Sequence, residues 1–180
     1  HHLFLQYDPF LDSWIPDEMA AFKRYFTPLD IQFVLERSWF GGTVAIQASE
    51  SDEETNYLVR LSKEYPFIKG VVGWVDLQAA DIEHRLESYK DVKVLKGFRH
   101  VVEGEEDPDF LIRPAILNGL KALAKFGYTY DLLIRPRHYQ ATLTCVSQNP
   151  ELQFVLDHIA KPPIKSREFD EWATFIDALS

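Results

Sequence analysis

The chain has 180 residues, is 46% hydrophobic and 26% charged, and carries a formal net charge of -9. That length holds one sizeable core, so a single domain over 1–180 is the expectation. The acidic balance argues against nucleic acid as a main partner, and no apolar run approaches the roughly 18 residues of a membrane span. The opening "HHLFLQYDP" shows neither a basic n-region nor a long apolar h-region, so no secretory signal is read. The single cysteine, Cys145, rules out an internal disulfide and points to a reducing compartment, hence a cytoplasmic protein.

In chain order the pattern alternates between helix and strand. "PDEMAAFKRYF" predicts a helix with Pro16 at its start and Met19, Phe22 and Phe26 on its apolar face. "TPLDIQFVLERSWF" predicts a second, with Thr27 as N-cap and the glycines at 41 and 42 as its stop. "TVAIQA" reads as a buried strand. "SDEETNYLVRLSKEYP" then begins with a capping box of Ser51 and Glu54. The unit recurs: strand "IKGVVGWVDL", helix "DIEHRLESYK", strand "VLKGFRHVV", helix "RPAILNGLKALAKFG". It recurs again as strand "YTYDLLI", helix "PRHYQATLTCVSQNP", strand "LQFVLDHI" and a last helix "SREFDEWATFIDALS". Strands are expected at about 43–48, 70–76, 95–101, 129–134 and 153–159, with a further one cut off around His2. They are apolar on both faces, as parallel strands covered by helices must be. The class is α/β: an open sheet, or the first part of a barrel, whose closed form takes about 250 residues.

Polar residues collect at the C-terminal ends of these strands, where ligands bind in both parallel architectures. Gln47 ends the first strand, Asp76 the second, Arg99 and His100 the third, and Asp157 and His158 the last. Each has a plain structural reading beside the functional one. Gln47 either bonds loop backbone or touches substrate, and Asp76 either caps its loop or does the same. Asp131, inside the fourth strand, reads as a buried partner of Arg99 or Arg135. His84 and His138 lie on predicted helices and read as surface residues, and Cys145 as a small buried side chain. The acidic run "EGEEDPD" follows a strand end and reads as a solvated loop or a lid. Strand alternation puts Phe154, Leu156 and His158 on one face. If that face is the barrel interior, His158 is its last inward residue. Arg99 and His100 take opposite faces, one of them inward. Lys161 either reaches the same mouth or caps backbone carbonyls.

"GVVGWVDL", "GFRHVV", "YTYDLL" and "FVLDHIAKPPI", in this order and spacing, resemble the amidohydrolase-related metal-dependent hydrolases of the TIM-barrel fold. The sugar-lactonase branch, the fucono- and rhamnono-lactonases, is the most similar, and "YDP…SWIPDEM" is similar to it too. The resemblance implies a (β/α)8 TIM barrel of which about the first six β/α units are present. Strands seven and eight, and the aspartate on strand eight that serves as general base or metal ligand, would then lie beyond Ser180. It implies a hydrolase that opens a lactone, or a related ester or amide, with water. His158 and Arg99 would be its catalytic residues, and Gln47, Asp76, His100 and Lys161 its substrate contacts. His2 and His158 would be ligands of a divalent metal, zinc first, although some barrels of this superfamily dispense with metal. The alternative for His1 and His2 is the end of an expression tag. The expected partner is a small-molecule substrate. Other readings are metal-dependent decarboxylation of an aromatic acid on the same barrel, and a non-catalytic binding protein.

Overall fold

The computed structural model describes His2 and residues 17–180. These form two compact units, His1–Trp74 with Val92–Lys96, and Val75–Asp91 with Gly97–Ser180. The greater part of the first expected strand falls outside the described residues.

In the first unit, the segment expected as an α-helix after Pro16 is a 3-10 helix, Asp17–Phe22, with Lys23 pairing to Asp17 at 2.6 Å. Helix α1, Pro28–Ser38, starts as read: Asp30 Oδ2 accepts the Thr27 backbone N–H at 2.7 Å and its hydroxyl at 2.8 Å. These bonds and Arg24 hold the Asp30 carboxyl down at about 2. The helix ends at Trp39, in the left-handed region at φ 60°, before the glycines. Strand β1, Thr43–Ile46, runs parallel to β2, Ile68–Gly73, with Val44 beside Gly70 and Ile46 beside Val72. Both strands stop short of their predicted ends, at 48 and 76, because the backbone turns to build loops. Helix α2, Asp52–Glu64, carries the expected cap: Glu54 N–H donates to Ser51 Oγ at 3.1 Å. The Glu54 carboxylate reaches further back, accepting the N–H groups of Ala48 at 2.8 Å and Ser49 at 2.6 Å. Thr55 fastens α2 to the end of β2, its hydroxyl accepting from Trp74 N–H at 2.8 Å.

The second unit holds α3 (Ile82–Glu87), most of β3 (Leu95–His100), α4 (Pro114–Phe126), β4 (Thr129–Leu132), α5 (Tyr139–Gln148), β5 (Phe154–Leu156) and α6 (Asp170–Leu179). Strands β3, β4 and β5 are mutually parallel, and their register decides the site. One row is Phe98, Tyr130 and Phe154; the next is Arg99, Asp131 and Val155. The aromatic row is covered. Phe98 meets Tyr128 edge-on at 5.1 Å and Tyr89 at 5.9 Å, and Tyr130 meets Phe154 at 6.3 Å. Helix α4 stops at Gly127, φ 75°, as read from the sequence. Strand β5 is three residues, not the seven expected at 153–159, because the chain leaves the ladder at Asp157.

Helix α4 approaches the loop after β2 through Gly119. A Cβ there would lie 2.7 Å from Leu77 Cβ and against its carbonyl oxygen. Gly119→Ala should therefore destabilise the full-length protein by about 1–3 kcal/mol, despite the better helix propensity of alanine. Chemical denaturation measures it, and an unchanged midpoint would contradict this packing.

Candidate active site

The second unit builds its polar centre on the register of β3, β4 and β5. Arg99 lies beside Asp131, and Asp157 follows Val155 by two residues on the same side. The Arg99 guanidinium donates to Asp157 Oδ2 at 2.8 Å, with the two side chains 3% and 10% exposed. Among the described residues the ion pair of Arg99 is with Asp157; Asp131, read as a buried partner of Arg99 or Arg135, feels the Arg99 charge but forms no ion pair with either. Asp131 is buried, and its Oδ1 has no hydrogen-bond partner among the described residues. Burial, and then the Asp157 charge, push its carboxyl up to about 7 against the pull of Arg99.

His158 does not occupy the last inward position of a strand. The rows place Phe154 and Leu156 with Tyr130 and Leu132, so alternation from Phe154 would carry His158 toward the aromatic side. The chain avoids this by turning: His158, Ile159, Ala160 and Lys161 all take positive φ, at 51, 48, 59 and 51°. Each such non-glycine residue costs about 1–2 kcal/mol, so the turn persists only because its surroundings impose it. Tyr139 Oη donates to Ala160 O at 2.8 Å and Trp172 Nε1 to Ile159 O at 2.7 Å. The Tyr139 ring also stacks on Phe175 of α6 at 4.0 Å. The turn leaves His158 exposed beside the buried Arg99–Asp157 pair.

Residues 101–113 are fastened to the strand ends. His100 Nε2 meets Glu105 Oε1 at 2.8 Å while its ring stacks on Phe110 at 4.6 Å. Asp107 pairs with Arg113 at 2.7 Å. Arg137 Nη2 donates to the carbonyls of Glu103 at 2.6 Å and Glu105 at 2.8 Å. His138, expected on the surface, is fully buried. Its Nδ1 accepts the Arg135 backbone N–H at 3.3 Å, and its Nε2 lies 3.3 Å from Arg137 Nε and 3.4 Å from the Glu105 carbonyl. Burial, and then the Arg137 charge, lower its pKa and keep it neutral. Glu103 accepts from Lys161 and forms an ion pair with Arg135 at 3.2 Å. The acidic run is thus a braced ledge. The sequence reading missed Glu103, Arg135 and His138 as site-building groups. The available signal was that Glu103 follows β3, the strand of Arg99, while Arg135 and His138 follow the adjacent β4.

The remaining residues are placed as follows. Asp76 Oδ1 accepts the Gln78 N–H at 2.9 Å, the loop-capping role. Gln47 is fully buried, and its N–H donates to Val72 O at 2.9 Å. His84 is exposed on α3, as expected. Cys145 is buried, which pushes its thiol up to about 12 and leaves it inert. His2 Nδ1 lies 2.9 Å from the carbonyl of Ile46. That contact selects the tautomer with its proton on Nδ1 and the lone pair on Nε2, an arrangement common among metal-ligating histidines. Among the described residues no three His, Cys, Asp or Glu side chains gather as a metal site. Among them, too, no helix is long and apolar enough to cross a membrane.

The amidohydrolase family model matches residues 9–180. The chain belongs to the amidohydrolase family. It is 32% identical over 167 residues to an L-fucono-1,5-lactonase of Burkholderia ambifaria, covering 93% of this chain and 58% of that protein. An L-fucono-1,5-lactonase of Burkholderia multivorans is 28% identical over 174 residues, covering 96% of this chain and 58% of that protein. The crystal structure of a Burkholderia multivorans amidohydrolase with bound zinc superposes with a TM-score of 0.91 at 27% identity. The superposition covers 99% of this chain and 63% of that one. The parallel β/α arrangement is therefore TIM-barrel-like, and the chain spans 58% of the length of these lactonases.

The titration of Asp131 has a measurable sign. Its folded pKa, about 7, lies above the ordinary carboxyl value of 3.8, so the native state holds the proton more tightly and stability falls as pH rises between the two. Asp131→Asn removes that slope. Relative to the parent, the full-length variant should gain about 2–3 kcal/mol between pH 5 and pH 8 in denaturant unfolding. Equal differences at both pH values would contradict the raised pKa.

Proposed function

We propose that the whole protein is a hydrolase that opens a sugar-acid lactone with water. The observation that carries the reading is the likeness to two L-fucono-1,5-lactonases over more than nine-tenths of this chain. The second unit supplies chemistry that suits it. Lactone opening needs an orienting cation, a polarised carbonyl and a water that loses its proton. Arg99, with one arm of its fork anchored by Asp157, is held rigid to bind a substrate oxygen. His158, exposed on its strained turn beside that pair, can donate to the carbonyl oxygen as negative charge develops there. His100, Gln47 and Asp76 are assigned to substrate, while Lys161, read as a further contact, is engaged by Glu103. In this reading the chain supplies about six units of an eight-unit barrel, and the general base comes from elsewhere in the whole protein.

A divalent metal, zinc first, is part of the proposal. His2 and His158 would be its ligands from this chain, and the Ile46 carbonyl sets His2 in the tautomer that suits the role. The described residues do not complete a three-ligand site, so further ligands would come from elsewhere in the protein. Bound there, a metal would acidify a water and polarise the carbonyl.

The test is a substrate panel on the full-length protein, read by acid release. Sugar lactones, L-fucono-1,5-lactone among them, should be opened. Aromatic carboxylates should not lose carbon dioxide, and activity on them alone would replace the reading by the decarboxylase. His158→Ala should lower turnover by at least about a hundredfold. Unchanged turnover would make His158 structural. Chelation followed by zinc addition should abolish and then restore activity if a metal takes part.

A further inference from the structure

We infer that Glu103 is a built-in carboxylate occupying an anion site formed by Arg135 and Lys161, and that it sets this mouth for uncharged lactones over carboxylate-bearing ones. The inference deepens the lactonase reading and rests on it for the statement about substrate. The two cations come from different places in the second unit. Arg135 follows β4, and Lys161 ends the left-handed turn that carries His158. Both converge on one oxygen, Glu103 Oε2, Arg135 at 3.2 Å and Lys161 in closer contact.

The backbone of Glu103 is fixed independently of its side chain. Its N–H donates to Leu133 O at 2.9 Å, and its carbonyl accepts from Arg137 at 2.6 Å. The Lys161 N–H is likewise fixed, donating to His158 O at 3.0 Å. The side chains of Glu103 and Lys161 are 19% and 29% exposed, so the carboxylate is the more sheltered of the two. Two cations against one carboxylate leave a local excess of one positive charge in a chain whose net charge is -9. A surface pair holding one long side chain would have no such excess. Arg99 is paired with Asp157.

A tethered carboxylate acts at a high effective concentration, so a free carboxylate must displace it to reach the two cations. An uncharged lactone has no such competitor. It meets a neighbourhood whose cations are already occupied and hydrogen-bonds to what remains. Removing the Glu103 charge should convert the filled site into an open one, because a charge-assisted pair of donors from Arg and Lys suits a small carboxylate.

The experiment uses the full-length protein, with succinate as probe and calorimetry as readout. The parent should bind succinate more weakly than about 10 mM, and Glu103→Ala at least about tenfold more tightly. Glu103→Gln keeps the shape and removes the charge, so it decides the matter if the alanine variant fails to fold. Adding Lys161→Ala to either variant should erase the gain. Equal succinate affinity in the parent and in Glu103→Gln would overturn the inference, as would a gain that survives without Lys161. The lactone panel on the parent is a separate measurement. A protein that gains succinate binding on Glu103→Gln but opens no lactone keeps the filled anion site and loses the lactonase reading. A protein that opens lactones with no gain does the reverse.

Discussion

A buried guanidinium is the constraint around which the second unit is arranged. Arg99 stands inside a strand, 4% exposed, and cannot be neutralised at any ordinary pH. It must therefore meet a carboxylate, and the register of β3, β4 and β5 brings two to the same side, Asp131 and Asp157. Only one of them can carry the charge comfortably. Asp157 takes the ion pair, and Asp131, more deeply buried and facing the Asp157 charge, holds its proton to about 7. The opposite side of the same strands is aromatic, with Phe98, Tyr130 and Phe154 in a row. Polarity and packing are thus separated by the two-residue alternation of the strand.

Local strain follows from that arrangement. Once Asp157 is committed to Arg99, continued extension would send His158 to the aromatic side. Four residues in the left-handed region turn it out instead. The bonds from Tyr139 and Trp172 link this turn to α5 and to α6, so two helices of the second unit support the presentation of one imidazole. The loop after β3 is organised on the same logic. Arg137 binds its carbonyls, and the buried His138, at the start of α5, lies against both Arg137 and the Glu105 carbonyl. Charges that sequence alone would assign to a solvated run become fixed features of the strand ends.

The first unit shows a quieter version of the same economy of groups. The sequence suggests a capping box for α2, but only half of it is seen: the Glu54 backbone N–H donates to Ser51 Oγ, while its carboxylate accepts the N–H groups of Ala48 and Ser49. One residue thus helps begin a helix through its backbone and shapes the loop that follows Gln47 through its side chain. Family membership agrees with this distribution, since a parallel β/α scaffold keeps its chemistry on the segments that follow its strands.

The alternation of strand and helix, the caps at Thr27 and Ser51, the stop at Gly127 and the clustering of polar residues at strand ends were all legible in the sequence, because each rests on local propensity and periodicity. The family was legible for a related reason: its motifs are contiguous strand ends. Tertiary structure decided which carboxylate Arg99 would take, because that depends on inter-strand register rather than on any one strand. It also decided that β5 ends at Leu156, since "FVLDHI" has the composition of a longer strand and only the Arg99–Asp157 pair and the contacts of Tyr139 and Trp172 favour the turn. His138 on a polar helix start looked exposed, and burial came from the loop folded over it. Glu103 was hidden in an acidic run whose members are chemically alike. What singles it out is the arrival of Arg135 and Lys161 from two other strand ends, a long-range coincidence that no window of sequence contains.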